Sequence, residues 1–392
     1  MNIVSKNNPF LEKIFEIINN SPHKKITFAE YMNLCLYDSE YGYYNSDKII
    51  IGNQGDFFTS SSLSSDFGEL LAIQLEEFWQ VLGKPPNFKL VEMGAGNGNL
   101  AFAIINYILH YYPDFASHVE YIIIEKSQTL KLQQEKLLLE HFNDDISIKW
   151  KDWNSLGDNS VTGCFVSNEL IDAMPVHLIR YSQEKLQEIY ITENNNKLFT
   201  ITDSLSHENI SNYFQIIDIH FSKDIYPDNY QTEVNLQAID WLYQVFTKLK
   251  QGYLLTIDYG YSAQKYYHPQ RSQGTLKCYY QHRHHDNPYV NIGNQDITCH
   301  ANFTVLEEYG KLFGLSNLGY TKQALFLMSL GLGDRLNELS NGKMSLTEIL
   351  QRRQQLHSLI NPEGLGNFCV LLQSKNLSLL QNQSTLKGFS YK

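Results

Sequence analysis

Cysteine is scarce and scattered. The 392 residues carry five, Cys35, Cys164, Cys278, Cys299 and Cys369, and no two stand close enough for a CxxC pair. That spacing argues against a disulfide framework and a structural zinc site, and it makes a reducing compartment the default. Positive charge is also short: 31 Lys and Arg face 42 Asp and Glu, a formal net charge of −11. A phosphate-backbone binder needs a basic surface, so nucleic acid is not an expected partner. The acidic balance suits a cationic partner or substrate instead. Long apolar runs are missing as well. The longest uncharged stretch, residues 93–113, holds Gly94, Gly96, Asn97, Gly98 and Asn99 and does not read as a membrane span. No apolar signal-peptide segment opens the chain, and the first Arg is Arg180, which argues against an Arg-rich transit peptide. A cytoplasmic location is the expectation, mitochondrial only if a targeting segment precedes this sequence.

What is present is ample core material. Hydrophobic residues make up 43% and charged residues 19%, so the chain is no disordered polymer. A chain of this length buries roughly three-quarters of its unfolded surface. The 26 Tyr and 21 Phe supply amphipathic rings for clefts as well as core.

Periodicity organises the chain. Residues 9–20 read as a helix, followed by a Tyr- and Ser-rich cap to about Asp66 and a helix over 66–82. From Lys89 the pattern changes. Apolar runs at 89–93, 118–125, 146–150, 161–168 and 252–259 read as strands, with helices over 100–112 and 130–141 between the first three. Such alternation implies a doubly wound α/β sheet, parallel, with helices on both faces. Leu186–Thr192 and Lys197–Thr202 flank Asn194-Asn195-Asn196 and read as a hairpin. Residues 323–356 read as mostly helical, Phe368–Gln373 as a last strand. The expected divisions are a helical cap over 1–86, a core over 87–175, an insertion with the hairpin over 176–235, and a second core half over 236–375. A loop insertion over 261–303 interrupts that half, and a polar, frayed tail covers 376–392.

The sharpest motif is Val91-Glu92-Met93-Gly94-Ala95-Gly96-Asn97-Gly98, between a strand and a helix. Glycines let the chain turn tightly and let a ligand approach main-chain N–H groups. Asn99 stands where a dinucleotide fingerprint wants its third glycine. Glu92 would repel a pyrophosphate but suits the ammonium of a bound amino acid. Glu125 ends the next strand, where an acid accepts from ribose hydroxyls. Together these favour S-adenosylmethionine over NAD. Ala95 within the loop and Lys126 beside Glu125 count among the cofactor contacts. Asp152 and Trp153, past the third strand, are placed to accept from the adenine amino group and to stack on it; a solvated loop acid beside a core Trp is the alternative.

After the fourth strand comes Ser167-Asn168-Glu169-Leu170-Ile171-Asp172-Ala173-Met174-Pro175. Two carboxylates at such an elbow can hold a guanidinium by charge-assisted bonds and accept its proton. Glu169, Asp172 and Asn168 are therefore the catalytic candidates, with Asn168 also reaching the cofactor. An N-cap acid among surface charges is the bland alternative.

With these residues in place, the chain resembles the MidA-like family, which includes a mitochondrial arginine methyltransferase that assists complex I assembly. The resemblance rests on Tyr41-Gly42-Tyr43-Tyr44, Gly55-Asp56-Phe57-Phe58-Thr59, Phe67-Gly68-Glu69, the glycine loop, Ile124-Glu125-Lys126-Ser127, the acidic elbow through His177, Ile257-Asp258-Tyr259-Gly260, Gly274-Thr275-Leu276, Gly293–Thr298, Gln323 and Phe326-Leu327. It implies a class I S-adenosylmethionine-dependent methyltransferase (Rossmann-like) fold and symmetric dimethylation of a protein arginine, in mitochondrial members on a complex I subunit. It also implies that Asp56, Phe57 and Thr59 close over the cofactor and that His282 lines the cleft. Asp258 and Tyr259 end the fifth strand and so face the same crevice, where the acid is placed to pair with a loop or with substrate. The chain departs from the family pattern at Ala95, Asn97, Asn99 and around Cys299–Phe303. The spacing of His282, His284 and His285 matches no tight ligand set, so no metal is expected. A small-molecule methyltransferase and a noncatalytic cofactor-binding assembly factor stay open as alternatives, and a homodimer is compatible with the sequence.

Overall fold

The computed structural model describes residues 8–45, 64–142, 145–281, 283–339 and 345–390. The chain divides into two compact units, each assembled from three stretches. One comprises Ile50–Leu170, Leu242–Gly260 and Gly310–Lys392; the other comprises Met1–Ile49, Ile171–Trp241 and Tyr261–Tyr309.

The first unit is built on a seven-stranded sheet. Its strands are β1 (Phe88–Met93), β2 (Val119–Ile124), β3 (Ser147–Trp150), β4 (Val161–Asn168), β5 (Leu249–Asp258), β6 (Ser316–Lys322) and β7 (Cys369–Lys375). They lie in the order 3-2-1-4-5-7-6, with β1 to β5 parallel and β7 antiparallel to both neighbours. The central strands are covered on both faces, so Leu90, Val91, Tyr121, Ile122, Phe165, Val166, Leu254 and Leu255 are all buried. The purely parallel sheet of the sequence reading is thus a mixed one. The sixth strand escaped that reading because Ser316–Lys322 is an edge strand with no buried residue and no apolar alternation.

Helices α1 (Ser65–Val81), α2 (Asn99–Tyr111) and α3 (Gln128–Phe142) belong to this unit. Assigning residues up to 86 to a separate cap therefore needs correction. α1 buries Phe67, Leu70, Leu71, Leu75, Phe78 and Trp79 in the sheet's own core, and the division falls between Ile49 and Ile50. Gly68 sits where a Cβ would come within 2.6 Å of the Ala103 Cβ, so the α1–α2 crossing needs glycine there. Asp66 is held by Arg335 at 2.6 Å and Arg352 at 2.8 Å, and Glu69 also pairs with Arg335. The Phe67-Gly68-Glu69 motif thus has a structural explanation. The tail also differs from expectation: Leu386 is buried, Phe389 packs on Phe326, and Gly388 N donates to Gln74 Oε1 at 2.9 Å. Apolar side chains spaced through a polar segment dock it.

The second unit carries an antiparallel sheet of Lys25–Thr27, Lys185–Asn194, His177–Ser182 and Tyr230–Val234, with Lys197–Asp203 on the far side of Lys185–Asn194. The hairpin turns at Asn195 and Asn196, whose φ values of 52° and 58° fit a two-residue left-handed turn. Lys277–Tyr280, Arg283–His285 and Asp296–Thr298 form a three-stranded sheet. The amino-terminal segment, the insertion and the loop region, separate in sequence, share one core. Phe10, Ile14, Phe28, Tyr31, Val176, Ile189, Cys278 and Ile297 meet there.

Candidate active site

The strand register brings the motifs to one edge of the sheet. Met93 lies level with Ile124 on β2 and with Ser167 on β4, and Asn168 lies level with Ile257 on β5. The carboxyl ends of β1, β2, β4 and β5 therefore deliver Gly94, Glu125, Asn168 and Asp258 to the same rim. The direction of the connections reverses between β1 and β4, which is where open α/β sheets bind ligands.

Gly94, Gly96 and Gly98 have φ of 69°, 54° and 86°, so three left-handed residues fall within five. Only glycine does this at no steric cost. A Cβ on Gly94 would also lie 2.8 Å from Leu170 Cδ1. Gly98 is the residue before α2 and offers no side-chain cap, and Asn99 N, the first N–H of the helix, donates to Asn97 Oδ1 at 3.2 Å. Ala95 is buried and accepts from Gly98 N at 2.9 Å.

Two acids flank this loop. Glu92 is buried and accepts from Tyr121 Oη at 2.6 Å. Burial raises its pKa to about 7; the Tyr121 hydrogen bond opposes the rise and the charge of Glu125 adds to it. Glu125 is half-buried, accepting from Ser127 N at 2.8 Å on one oxygen and from Gln134 Nε2 at 3.0 Å on the other. Burial raises its pKa too, against those hydrogen bonds. Lys126 is exposed beside it.

Gln134, which the sequence reading missed, joins these parts. It is fully buried on α3. Its Nε2 also donates to Gly96 O at 2.7 Å, and its Oε1 accepts from Trp150 Nε1 at 3.0 Å. The signal was available: Leu130, Gln134 and Leu138 share one helical stripe, and a glutamine between buried leucines needs partners.

Asp152 is exposed after β3, where its Oδ1 accepts from Ser155 N at 2.7 Å, while Trp153 stacks on Phe165 with centroids 6.2 Å apart. Asp258 is buried and accepts from Tyr259 N at 2.8 Å; the Tyr259 ring rests against Phe368. At the end of β4, Asn168 Nδ2 donates to Glu169 Oε1 at 3.3 Å. Asn168 Oδ1 and Ser167 Oγ are buried with no hydrogen-bond partner. Glu169 has φ of 51°, and its N–H bonds Ile257 O at 2.9 Å.

Asp172 belongs to the second unit. It is buried, its main-chain O accepts from Cys299 N at 2.8 Å, and its charge reaches Tyr44 and Tyr279. Asp56, Phe57, Thr59 and His282 lie outside the described residues. Among the described residues, no group of three His, Cys, Asp or Glu is placed to hold a metal ion, and no helix is long and apolar enough to cross a membrane.

The rim fits S-adenosylmethionine: a glycine cradle, an acid below it for an ammonium, an acid at β2 for ribose hydroxyls, and an orphaned amide oxygen at Asn168. Comparison with known proteins agrees. The family described as "Putative S-adenosyl-L-methionine-dependent methyltransferase" matches residues 70–321, and the chain belongs to it. A COG1565 superfamily member from Burkholderia thailandensis, solved with bound S-adenosyl-homocysteine, superposes with a TM-score of 0.84 at 27% identity. It covers 98% of this chain and 95% of that one. The human protein arginine methyltransferase NDUFAF7, mitochondrial, is 26% identical over 382 residues, 90% of this chain and 81% of its own. The Drosophila melanogaster homologue is 26% identical over 344 residues, 83% of this chain and 75% of its own. The MidA-like resemblance therefore holds, and the protein is an S-adenosylmethionine-dependent methyltransferase.

Proposed function

We propose that the acceptor is a protein arginine and that Glu169 is the carboxylate that orients its guanidinium and takes its proton. The observation that carries this is the backbone of Glu169. A non-glycine residue held left-handed costs on the order of 1–3 kcal/mol, and such strain concentrates at functional sites. Here it falls on an acid just past the carboxyl end of β4, two residues beyond Ser167, which lies level with Met93 before the glycine loop. The names of the relatives supply the acceptor class.

The bound cofactor supplies an electrophilic methyl group. Everything else is the task of the chain. Main-chain N–H groups of the Gly94–Gly98 loop and the carboxylates of Glu92 and Glu125 hold and orient it. An arginine has a pKa above 12, so its nitrogen becomes nucleophilic only as a base takes its proton. Glu169 fills that role, steadied by the Asn168 Nδ2 bond to its Oε1. Two attractive contacts to one guanidinium also fix which nitrogen points at the methyl group. Symmetric dimethylation, and a respiratory complex I subunit as acceptor, extend the proposal along the MidA-like resemblance.

Glu169→Gln keeps size and removes charge. Methyl transfer is expected to fall by roughly 10²–10⁴-fold, the usual share of a positioned acid or base, with cofactor affinity little changed. Wild-type turnover in this variant would refute the role of Glu169. Mass spectrometry of arginine methylation in cells with and without the chain tests the acceptor class itself.

A further inference from the structure

The second unit holds a cluster that the cofactor site does not use. Tyr261 follows Gly260 in the chain, three residues beyond Asp258. Its ring stacks on His300 with centroids 4.8 Å apart and planes 14° from parallel. Lys265 Nζ lies 4.5 Å from the centre of the same ring, and the Arg271 guanidinium carbon lies 4.6 Å from it. An ammonium and a guanidinium thus come within about 9 Å of each other around one phenol, the sum of those two distances.

In a chain of net charge −11, two cations so close would be expected to share a carboxylate. Among the described residues neither forms an ion pair. Lys277 nearby is neutralised by Asp286 at 2.5 Å. The buried Glu233 carboxylate is already occupied by Thr275 N, Leu276 N, Tyr266 Oη and Thr275 Oγ1, at 2.8, 3.1, 3.1 and 3.2 Å. Arg271 Nε is buried and has no acceptor. An aromatic face gives an exposed cation about 0.5–1 kcal/mol, too little to compensate the pair as a carboxylate would. His300 adds no third charge at neutral pH: burial, then the charge of Arg271, lowers its pKa to about 4. Ala263 N, at the start of the turn carrying Lys265, donates to Thr304 Oγ1 at 2.9 Å and anchors the backbone of that turn. Lys265 is exposed and Arg271 half-buried, so the pair opens to the surface, where a polypeptide can reach it.

We propose that Lys265 and Arg271, set around Tyr261, form an anion subsite for a carboxylate side chain, an aspartate or glutamate, of the protein substrate. The proposal rests on the arginine-methyltransferase reading and gives that reading a sequence preference. The overall field of an acidic chain disfavours acidic peptides, so any preference for one must come from a local site.

The test uses the full chain and a fluorescent peptide that carries glutamates but no arginine, beside its twin with glutamines. Wild-type protein is expected to bind the glutamate peptide about tenfold more tightly, as a charge-assisted contact allows, and excess inorganic phosphate should compete for it. Lys265→Gln with Arg271→Gln should abolish the preference while melting temperature and S-adenosylmethionine affinity stay at wild-type values. Lys265→Arg with Arg271→Lys should retain most of it. Equal affinity for the two peptides overturns the proposal, as does a preference that survives the double glutamine variant. Phosphate binding without a peptide preference also overturns it. Because the peptide contains no arginine, failure here is distinct from failure of the arginine reading, which methyl transfer scores.

Discussion

Glu92 offers a quantitative test of the cofactor site. Its carboxyl is buried against Tyr121, and burial, with a smaller push from Glu125, raises its pKa from the ordinary 4.5 to about 7. Between those values the folded chain holds a proton that the unfolded chain has released. Stability therefore falls as pH rises through that window and levels off above it. Each tenfold change in proton affinity is worth about 1.4 kcal/mol, so the ionised carboxylate costs the cofactor-free fold about 3 kcal/mol near pH 8. Glu92→Gln removes this titration. Its stability relative to wild type should rise by about 3 kcal/mol between pH 4 and pH 8, read from urea unfolding at a series of pH values. A constant offset from the buried amide shifts the curve without changing its slope. If the difference between the two proteins is flat across that range, Glu92 is not held near neutrality and the electrostatic reading fails. The same group predicts proton release on binding. When the carboxylate must be ionised to receive the cofactor's ammonium, wild-type affinity should rise about tenfold per pH unit up to pH 7. Calorimetry near pH 6, in buffers of different ionisation heat, should find about one proton expelled. Glu92→Gln should bind weakly and expel none from this position.

Two further outcomes follow from other buried contacts. Gln134→Leu keeps the volume of the side chain but leaves Gly96 O, a Glu125 oxygen and Trp150 Nε1 without their partner; lost hydrogen bonds of this kind cost about 1–3 kcal/mol, so S-adenosylmethionine affinity should drop roughly 10- to 100-fold by calorimetry. Wild-type affinity in Gln134→Leu, which keeps the volume but not the amide, would instead mark a packing role. Asp66 is buried, which raises its pKa, but Arg352 and Arg335 outweigh this and hold it below the ordinary value. Its contribution to stability is present above the ordinary carboxylate range and is lost as pH falls through it. Asp66→Asn should lower the melting temperature at pH 7 and converge with wild type in acid, and a pH-independent difference would contradict the ion-pair account.

The placement of the candidate residues on one rim was legible in the sequence because they sit where strands end. An apolar run followed by glycines gave β1 and its loop. The next run ended at Glu125, and the fourth ended at Asn168-Glu169. Strand register then aligned them without further information. What was not legible came from contacts distant along the chain. Asp66 and Glu69 meet Arg335 and Arg352 more than 250 positions away, so α1 read as part of a cap when it belongs to the sheet. The tail read as frayed because Leu386 and Phe389 show no period, although each finds a buried place. Gln134 went unnoticed because its partners are a backbone carbonyl, a carboxylate and an indole from three different segments. Glu169 was legible as an acid; its left-handed backbone was not, since no glycine or asparagine marks that position.

The proposed contacts of the two acids beside the glycine loop would also account for a choice of ligand that the loop alone leaves open. A glycine-rich turn before a helix accepts a pyrophosphate as readily as an amino acid, because its N–H groups and helix start favour negative charge. Glu92 and Glu125, in the roles proposed for them, would reverse that preference. Both are driven toward neutrality by burial, and the charge of Glu125 raises Glu92 further, so the cofactor-free rim resists holding two negative charges. A pyrophosphate would add to the repulsion. An ammonium below the loop would relieve it, and ribose hydroxyls would offer Glu125 donors beside Ser127 N and Gln134 Nε2. The binding energy gained includes the cost of ionising Glu92 that the empty protein avoids by keeping its proton. On the proposed placement of the cofactor, the loop supplies shape and the acids supply selection, and removing either acid should loosen discrimination as well as affinity.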